Sequence, residues 1–294
     1  MTLLAIPNVS EGRDQAAIDT IARAFETAHA RLLDVHTDTD HHRSVFTLAG
    51  EPGDLANAVL DGAAETVRQV DLNAHEGIHP RVGAIDVAPI VYLDPADRGA
   101  ACSEALVLGD LLGDRLELPV FLYGELAQGR TRAELRRGGP ATLAERIKTR
   151  ELRPDFGPPR LHPTAGAVLV AARPPLVAFN VELAPPATVE DAKEIAAQIR
   201  EGGPEGLGGV RAIGLWLAAR DVAQVSTNVE DHRATPLAQV IAAIARHATP
   251  SQAELVGLAP RAAFDGFPDD IPVANRRTVE QALEESREQT SLAE

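Results

Sequence analysis

Short apolar runs alternate with helical stretches along this chain in the order strand, helix, strand, strand, helix, strand, and that order occurs twice. In the first pass, residues 3–9 form an apolar run that ends in Asn-Val-Ser-Glu-Gly, a turn signal. Residues 14–28 carry Ile18, Ile21, Ala22 and Phe25 at spacings of three and four, the period of a helix with one buried face. Residues 32–35 and 45–48 read as strands around a polar loop. Residues 53–69 read as a second helix, with Leu55, Val59, Leu60 and Ala63 on one face, and residues 82–92 as another strand.

A helix over residues 97–116, a strand over 120–123 and an Arg-rich helix over 131–150 follow. Residues 153–163 hold four prolines and a glycine and cannot be regular structure, because proline lacks the N–H that helices and ladders need. A loop of that length is often functional. The order then restarts. Residues 176–183 read as a strand, and 189–201 as a helix capped by Thr188, with Asp191 completing a capping box. Strands over 210–218 and 222–227, a helix over 237–247, a strand over 254–258 and a polar helix over 276–286 complete the chain. The expected fold is α/β (α+β): two tandem ferredoxin-like β-α-β-β-α-β subdomains with mixed sheets and a cleft between them. The boundary falls at 173–176, giving subdomains 1–174 and 175–294.

Composition excludes several functions. The 294 residues carry a formal net charge of −15, with 28 Lys and Arg against 43 Asp and Glu. Nucleic-acid binders usually present a basic face, and none is evident here. Aromatic residues make up 3% of the chain, too few for a stacking platform. No apolar run approaches the ~20 residues of a membrane span, and the mean hydropathy is −0.09. The first residues, Met-Thr-Leu-Leu-Ala-Ile-Pro-Asn, do not read as a secretory signal. Cys102 is the single cysteine, so neither an internal disulfide nor a thiolate metal cage is expected. A cytoplasmic location and a small-molecule substrate are expected. An anionic substrate would need a local Arg patch set against the global field.

Reactive side chains concentrate in two segments. The first is Asp34-Val-His-Thr-Asp-Thr-Asp-His-His-Arg43. On extended backbone His36, Asp38 and Asp40 point to one side, an array that suits a hard or borderline metal. The same residues also read as a solvated loop of Asx-turns or as substrate contacts. No distant Cys or Glu-x-x-His partner stands out, so no metal is assigned. The second segment is His75-Glu-Gly-Ile-His79-Pro-Arg-Val-Gly-Ala-Ile-Asp86. Pro80 pushes His79 towards an extended conformation at the mouth of a strand, beside Arg81 and Gly83. A structural histidine and a site histidine both fit this pattern.

Several blocks resemble the formiminotransferase family. They are Ile6-Pro-Asn-Val-Ser-Glu-Gly12, His79-Pro-Arg-Val-Gly-Ala-Ile-Asp-Val-Ala-Pro89, Pro119-Val-Phe-Leu-Tyr-Gly-Glu125, Pro154-Asp-Phe-Gly-Pro158, Ala178-Phe-Asn-Val181 and Gln224-Val-Ser-Thr-Asn228. They occur in the family's order and span nearly the whole chain. The chain ends where bifunctional relatives continue into a cyclodeaminase domain, so a stand-alone transferase is expected. The resemblance implies transfer of a formimino group from N-formimidoyl-L-glutamate to tetrahydrofolate, a co-substrate, without a metal. It also implies a homodimer.

By the same resemblance His79 is the catalytic acid/base, and the folate contacts are Gly157, Pro158, Pro159, Arg160, Leu161, His162, Pro163, Thr164, Ala165 and Gly166. Asp38, Asp40, Arg43 and Arg81 are implied near the reacting centre. Arg43, Arg81 and Arg173 are candidates for local positive potential, since both substrates carry carboxylates. The chain departs from animal relatives at His36, where an acidic residue is expected, and at Thr164-Ala165, where those relatives carry Ser-Trp. The first departure bears on the Asp loop and the second on how a pterin ring would stack. One proton must leave the attacking folate nitrogen and one must reach the departing glutamate nitrogen. Histidine, titrating at ~6.5, can serve both steps. Alternatives are formyl transfer between 5-formyltetrahydrofolate and glutamate, a non-catalytic folate-binding protein, and a metal hydrolase built on residues 36–42.

Overall fold

The computed structural model describes residues 1–77 and 79–293, with side chains to Gln289. Ile78 of the second reactive segment lies outside the described residues. Contacts divide the chain into two compact units, Met1–Pro174 and Pro175–Glu294.

The first unit begins with two short strands, β1 (Leu3–Ala5) and β2 (Asn8–Val9), where one run was expected. Pro7 separates them, because a residue without an N–H cannot continue the ladder. Helix α1 (Gln15–Phe25), the hairpin β3 (Ala30–Asp38) and β4 (Arg43–Gly50), helix α2 (Leu55–Gln69) and β5 (Ile85–Tyr92) complete the first pass. Asp14 caps α1 by accepting from the backbone N–H groups of Ala16 and Ala17. β4 lies between β3 and the β1/β2 line, which in turn pairs with β5, and all these pairings are antiparallel.

Helix α3 (Arg98–Arg115) then leads to β6 (Val120–Leu122). The expected Arg-rich helix is two helices, α4 (Arg132–Arg136) and α5 (Gly139–Lys148), separated where Gly138 and Gly139 both take positive φ. β7 (Val168–Arg173) was not anticipated from the sequence. It lies between β5 and β6 and runs parallel to both, extending the sheet to seven strands. Such a strand is buried on both faces and reads as a continuous apolar run, without alternation. One face, carrying Ile85, Val168 and Val170, joins the core that holds Phe25, Leu55 and Leu108 from the three long helices. The other face, with Val87, Phe121, Leu169 and Ala171, packs against Leu135 of α4 and Leu143 and Ile147 of α5.

The second unit contains β8 (Val177–Leu183), α6 (Val189–Ile199), β9 (Val210–Leu217), β10 (Val222–Val229), α7 (Leu237–Ala245) and β11 (Pro250–Val256), which starts four residues before the expected strand. Its sheet order is β11-β8-β10-β9, antiparallel throughout. A short β12 (Val273–Ala274) adds in parallel beyond β11, and helix α8 (Val279–Ala293) follows. The capping box at α6 forms as expected, Thr188 and Asp191 bonding reciprocally. Gly214 lets α6 cross β9 closely, because a Cβ there would sit 2.2 Å from the Lys193 backbone nitrogen. Among the described residues no helix is long and apolar enough to cross a membrane.

Candidate active site

Antiparallel pairing brings the end of β2, the turn between β3 and β4 and the first residues of β5 to one end of the seven-stranded sheet. Here the register of β2 on β5 shifts between Asn8 and Val9, so that Val9 faces Ile85 and Asn8 faces Val87. Asp86 is the extra residue. Bulges of this kind re-aim side chains and are frequent beside active sites.

Asp86 is 0% exposed. It accepts from the Val82 backbone N–H at 2.8 Å, from Arg43 Nη1 at 2.8 Å and from Arg136 of α4. Arg43 also donates from Nε and Nη2 to Asn8 Oδ1 at 3.1 and 3.0 Å. Burial alone would raise the Asp86 pKa, but the two guanidinium groups outweigh it and hold the carboxyl well below its ordinary range. Burial likewise lowers Arg43 to about 10, against the pull of Asp86. Two cations on one carboxylate create the local positive potential that the acidic chain as a whole lacks.

His79 belongs to this cluster. The residue is partly exposed, but its Nδ1 is buried and has no hydrogen-bond partner among the described residues. Its pKa lies well below the usual value, first through burial and then through the charges of Arg43 and Arg136, which Asp86 only partly offsets. The imidazole is therefore neutral at pH 7 and able to accept a proton. The His41 ring lies edge-on, with centroids 6.2 Å apart. His41 is itself tied to Asp38, from Nδ1 at 2.9 Å and from its backbone N–H at 2.8 Å.

Arg81 donates to the carbonyls of His75 (2.7 Å), Gly77 (2.9 Å) and His79 (3.4 Å), which clamps the loop that carries His79. Below this loop His75 and His42 stack at 4.2 Å, and burial lowers the pKa of both. His42 Nδ1 accepts from the Gly12 N–H at 3.0 Å. Glu11 Oε1 accepts from the N–H groups of Gly12, Arg13 and Asp14. The Asn-Val-Ser-Glu-Gly turn thus braces the base of the site.

The proline-rich loop is fastened to the same place. Ala84 donates to the Ala165 carbonyl (2.9 Å), Ala167 to the Val82 carbonyl (2.9 Å) and Leu72 to the Thr164 carbonyl (2.8 Å). Gly83 permits this approach, since a Cβ there would meet the Ala167 oxygen at 1.8 Å. His162 and Gly166 bond reciprocally, and His162 Nδ1 accepts from the Ala165 N–H at 3.0 Å. Residues 162–166 are therefore a closed turn one strand-width from the segment that follows His79. Gly157, Pro159, Arg160 and Pro163 are exposed, while Pro158, Leu161, His162 and Thr164 are partly so and Ala165 and Gly166 are buried.

The Asp/His loop is not the solvated turn considered from sequence, because Asp38, His41 and Arg43 are buried. His36 is buried on β3, and Asp40 is half-buried in the turn. Among the described residues no group of three or more His, Cys, Asp or Glu side chains could hold a metal ion. Arg173 ends β7 and pairs in register with Val91, near the far end of β5. At ~3.3 Å per residue that is roughly 17 Å along the strand from Val168, so it does not join the cluster. Sequence reasoning missed Asn8, His41, Asp86 and Arg136 as site residues. A lone Asp inside the apolar run 82–92 was a usable signal, whereas Arg136 gave none.

Residues 2–173 match the family described as formiminotransferase domain, N-terminal subdomain, and residues 178–265 match the formiminotransferase domain. Formimidoyltransferase-cyclodeaminase of Sus scrofa is 38% identical over 271 residues, which is 87% of this chain and 49% of that protein. The chain thus spans about half the length of such relatives. The glutamate formimidoyltransferase of Thermoplasma acidophilum is 34% identical over 88% of both chains. That of Streptococcus pyogenes serotype M1 is 35% identical over 88% of this chain and 89% of its own.

Proposed function

Because the chain belongs to the formiminotransferase family, we propose that it moves the formimino group of N-formimidoyl-L-glutamate to tetrahydrofolate. The products are 5-formimidoyltetrahydrofolate and glutamate. The observation that carries this reading is the unpartnered Nδ1 of His79, held neutral beside the Asn8–Arg43–Asp86–Arg136 network. Buried polar atoms without partners call for an explanation, and a catalytic role is one of those that recur. Each unit is read as ferredoxin-like, which the β-α-β-β-α-β order and the order of the four antiparallel strands support.

His79 takes the proton that leaves the attacking folate nitrogen as the new C–N bond forms. It returns a proton to the glutamate nitrogen as the old C–N bond breaks, so its protonation state is restored with each turnover. Arg43 and Arg136 disfavour the imidazolium, which makes the transient cation a ready donor to the leaving amine. The same two guanidinium groups supply positive potential for the carboxylates of the donor substrate. Residues 157–166 line the folate, with the closed turn 162–166 holding the pterin end near His79. Asp38 positions His41, and Arg81 positions the His79 loop.

Purified protein assayed with formimidoylglutamate and tetrahydrofolate is expected to release glutamate at a rate set by both substrates. The same assay with N-formylglutamate as donor is expected to be much slower. Faster formyl transfer would replace the proposed donor, and no transfer from either would refute the reading.

A further inference from the structure

The block Pro119-Val-Phe-Leu-Tyr-Gly-Glu125 supplies β6 and the first residues of the turn towards α4. Its Tyr123 follows β6 directly and donates its backbone N–H to the Val170 carbonyl at 3.0 Å. The side chain is 6% exposed and belongs, with Phe121, Leu135 and Ala171, to the core beneath α4 and α5. Its hydroxyl is buried and has no hydrogen-bond partner among the described residues. A tyrosine O–H usually finds a partner when buried, so this one calls for an explanation beyond packing.

Helix α4 brings two further donors to the same place. A capping box fixes its start: Thr131 Oγ1 accepts from the Glu134 N–H at 3.2 Å, and Glu134 Oε2 accepts from the Thr131 N–H at 2.7 Å. The next residue, Arg132, holds its guanidinium 5.7 Å from the centre of the Tyr123 ring. Arg132 is half-buried and has no carboxylate partner among the described residues. In a chain where 43 acidic side chains compete for 28 basic ones, an arginine left unpaired in this setting points to an anion from outside. One turn on, Arg136 reaches Asp86 and leaves its own Nε buried and unpartnered among the described residues. The charge of Arg132 also reaches Arg43, so the positive potential around His79 continues along α4.

Guanidinium groups only donate, and a phenol beside them is turned to donate as well. Such a cluster is completed by an anion, and carboxylates match the planar guanidinium fork. The spacing selects among anions. Side chains four apart on a helix stand about 5–6 Å from one another. The two carboxyl carbons of glutamate are four C–C bonds apart, roughly 5 Å when extended. A monocarboxylate would engage one arginine and leave the other alone. Arg136 is the member of the pair whose charge acts on His79, and the α-carboxylate is the one bonded next to the nitrogen that leaves.

We propose that one turn of α4 reads the donor substrate as a dicarboxylate: Arg136 meets the α-carboxylate beside His79, and Arg132 with the Tyr123 hydroxyl binds the γ-carboxylate. This assignment rests on the proposed reaction, which supplies the glutamyl donor.

Arg132→Gln removes the charge and keeps most of the aliphatic stem, so the melting temperature is expected to stay within a couple of degrees of the parent. The KM for N-formimidoyl-L-glutamate is expected to rise about tenfold or more, the scale of a hydrogen bond to a charged group. In the same variant kcat and the KM for tetrahydrofolate stay within about threefold, the mark of lost ordinary binding. Arg132→Lys is expected to recover part of the loss. Tyr123→Phe is expected to raise the donor KM without lowering the melting temperature. The parent should prefer the donor over N-formimidoyl-L-glutamine, whose γ-amide carries no charge, and Arg132→Gln should lose that preference. A donor KM within about twofold of the parent in Arg132→Gln, or an undiminished preference, overturns the proposal. Binding of L-glutamate, followed by calorimetry, needs no turnover. A parent without transferase activity that binds glutamate, and loses that binding in Arg132→Gln, removes the proposed reaction alone. An active parent whose donor KM does not respond to Arg132→Gln removes this inference alone.

Discussion

Replacing His79 by alanine is expected to lower kcat by at least ~100-fold, the low end of what a positioned acid-base group contributes, while folate affinity stays within a few-fold. The two effects separate because the backbone proposed to line the folate does not depend on the imidazole. The closed turn 162–166 is fastened through main-chain bonds to Val82, Ala84 and Leu72. The His79 loop is clamped through carbonyls by Arg81, which the substitution leaves in place. A loss confined to kcat marks an interaction made in the transition state, whereas a rise in KM alone marks ordinary binding. Near-normal kcat in His79→Ala, measured by glutamate release under saturating substrates, would remove His79 from the chemistry.

Asp86→Asn is expected to have the largest effect on stability. The carboxylate is fully buried and is the counter-ion of both Arg43 and Arg136. An isosteric amide leaves those guanidinium groups buried without a charge partner, which typically costs about 3–5 kcal/mol. For a unit of this size that corresponds to a melting temperature roughly 10 °C lower, read by circular dichroism. Activity should fall with it, because Asp86 partly offsets the cations around His79. A variant that melts within a couple of degrees of the parent would show that the Arg43–Asp86–Arg136 network does not hold this end of the sheet together.

Much of the architecture was legible because periodicity reports burial. Helices α1 and α2 bury one stripe each, and the Thr188–Asp191 capping box is a local signal that the structure realises. What escaped reading lacked a local signature. β7 is a short apolar run ending in Arg173, between a proline-rich loop and Pro174, and its parallel pairing with β5 and β6 depends on residues far away in sequence. The break between α4 and α5 turns on two glycines with positive φ inside a stretch that otherwise reads as helix.

The site divides in the same way. His79 and Arg43 sit in segments dense with reactive side chains, so the sequence drew attention to them. Asp86 stands out only once a charge inside an apolar strand is asked to find a partner. Arg136 lies on a short helix with an ordinary capping box, 50 residues from the carboxylate it meets. Nothing near it in the chain points to that contact.

The dependence of kcat/KM on pH tests the proton shuttle most directly, since it reports the ionisation of the free enzyme. Burial, Arg43 and Arg136 all push the His79 pKa down, so activity should persist below the ordinary histidine value of ~6.5 before the acid limb sets in. That limb should be missing from the residual activity of His79→Ala. An acid limb above ~6.5, or one that survives unchanged in the variant, would contradict a neutral His79 as the group that carries the proton.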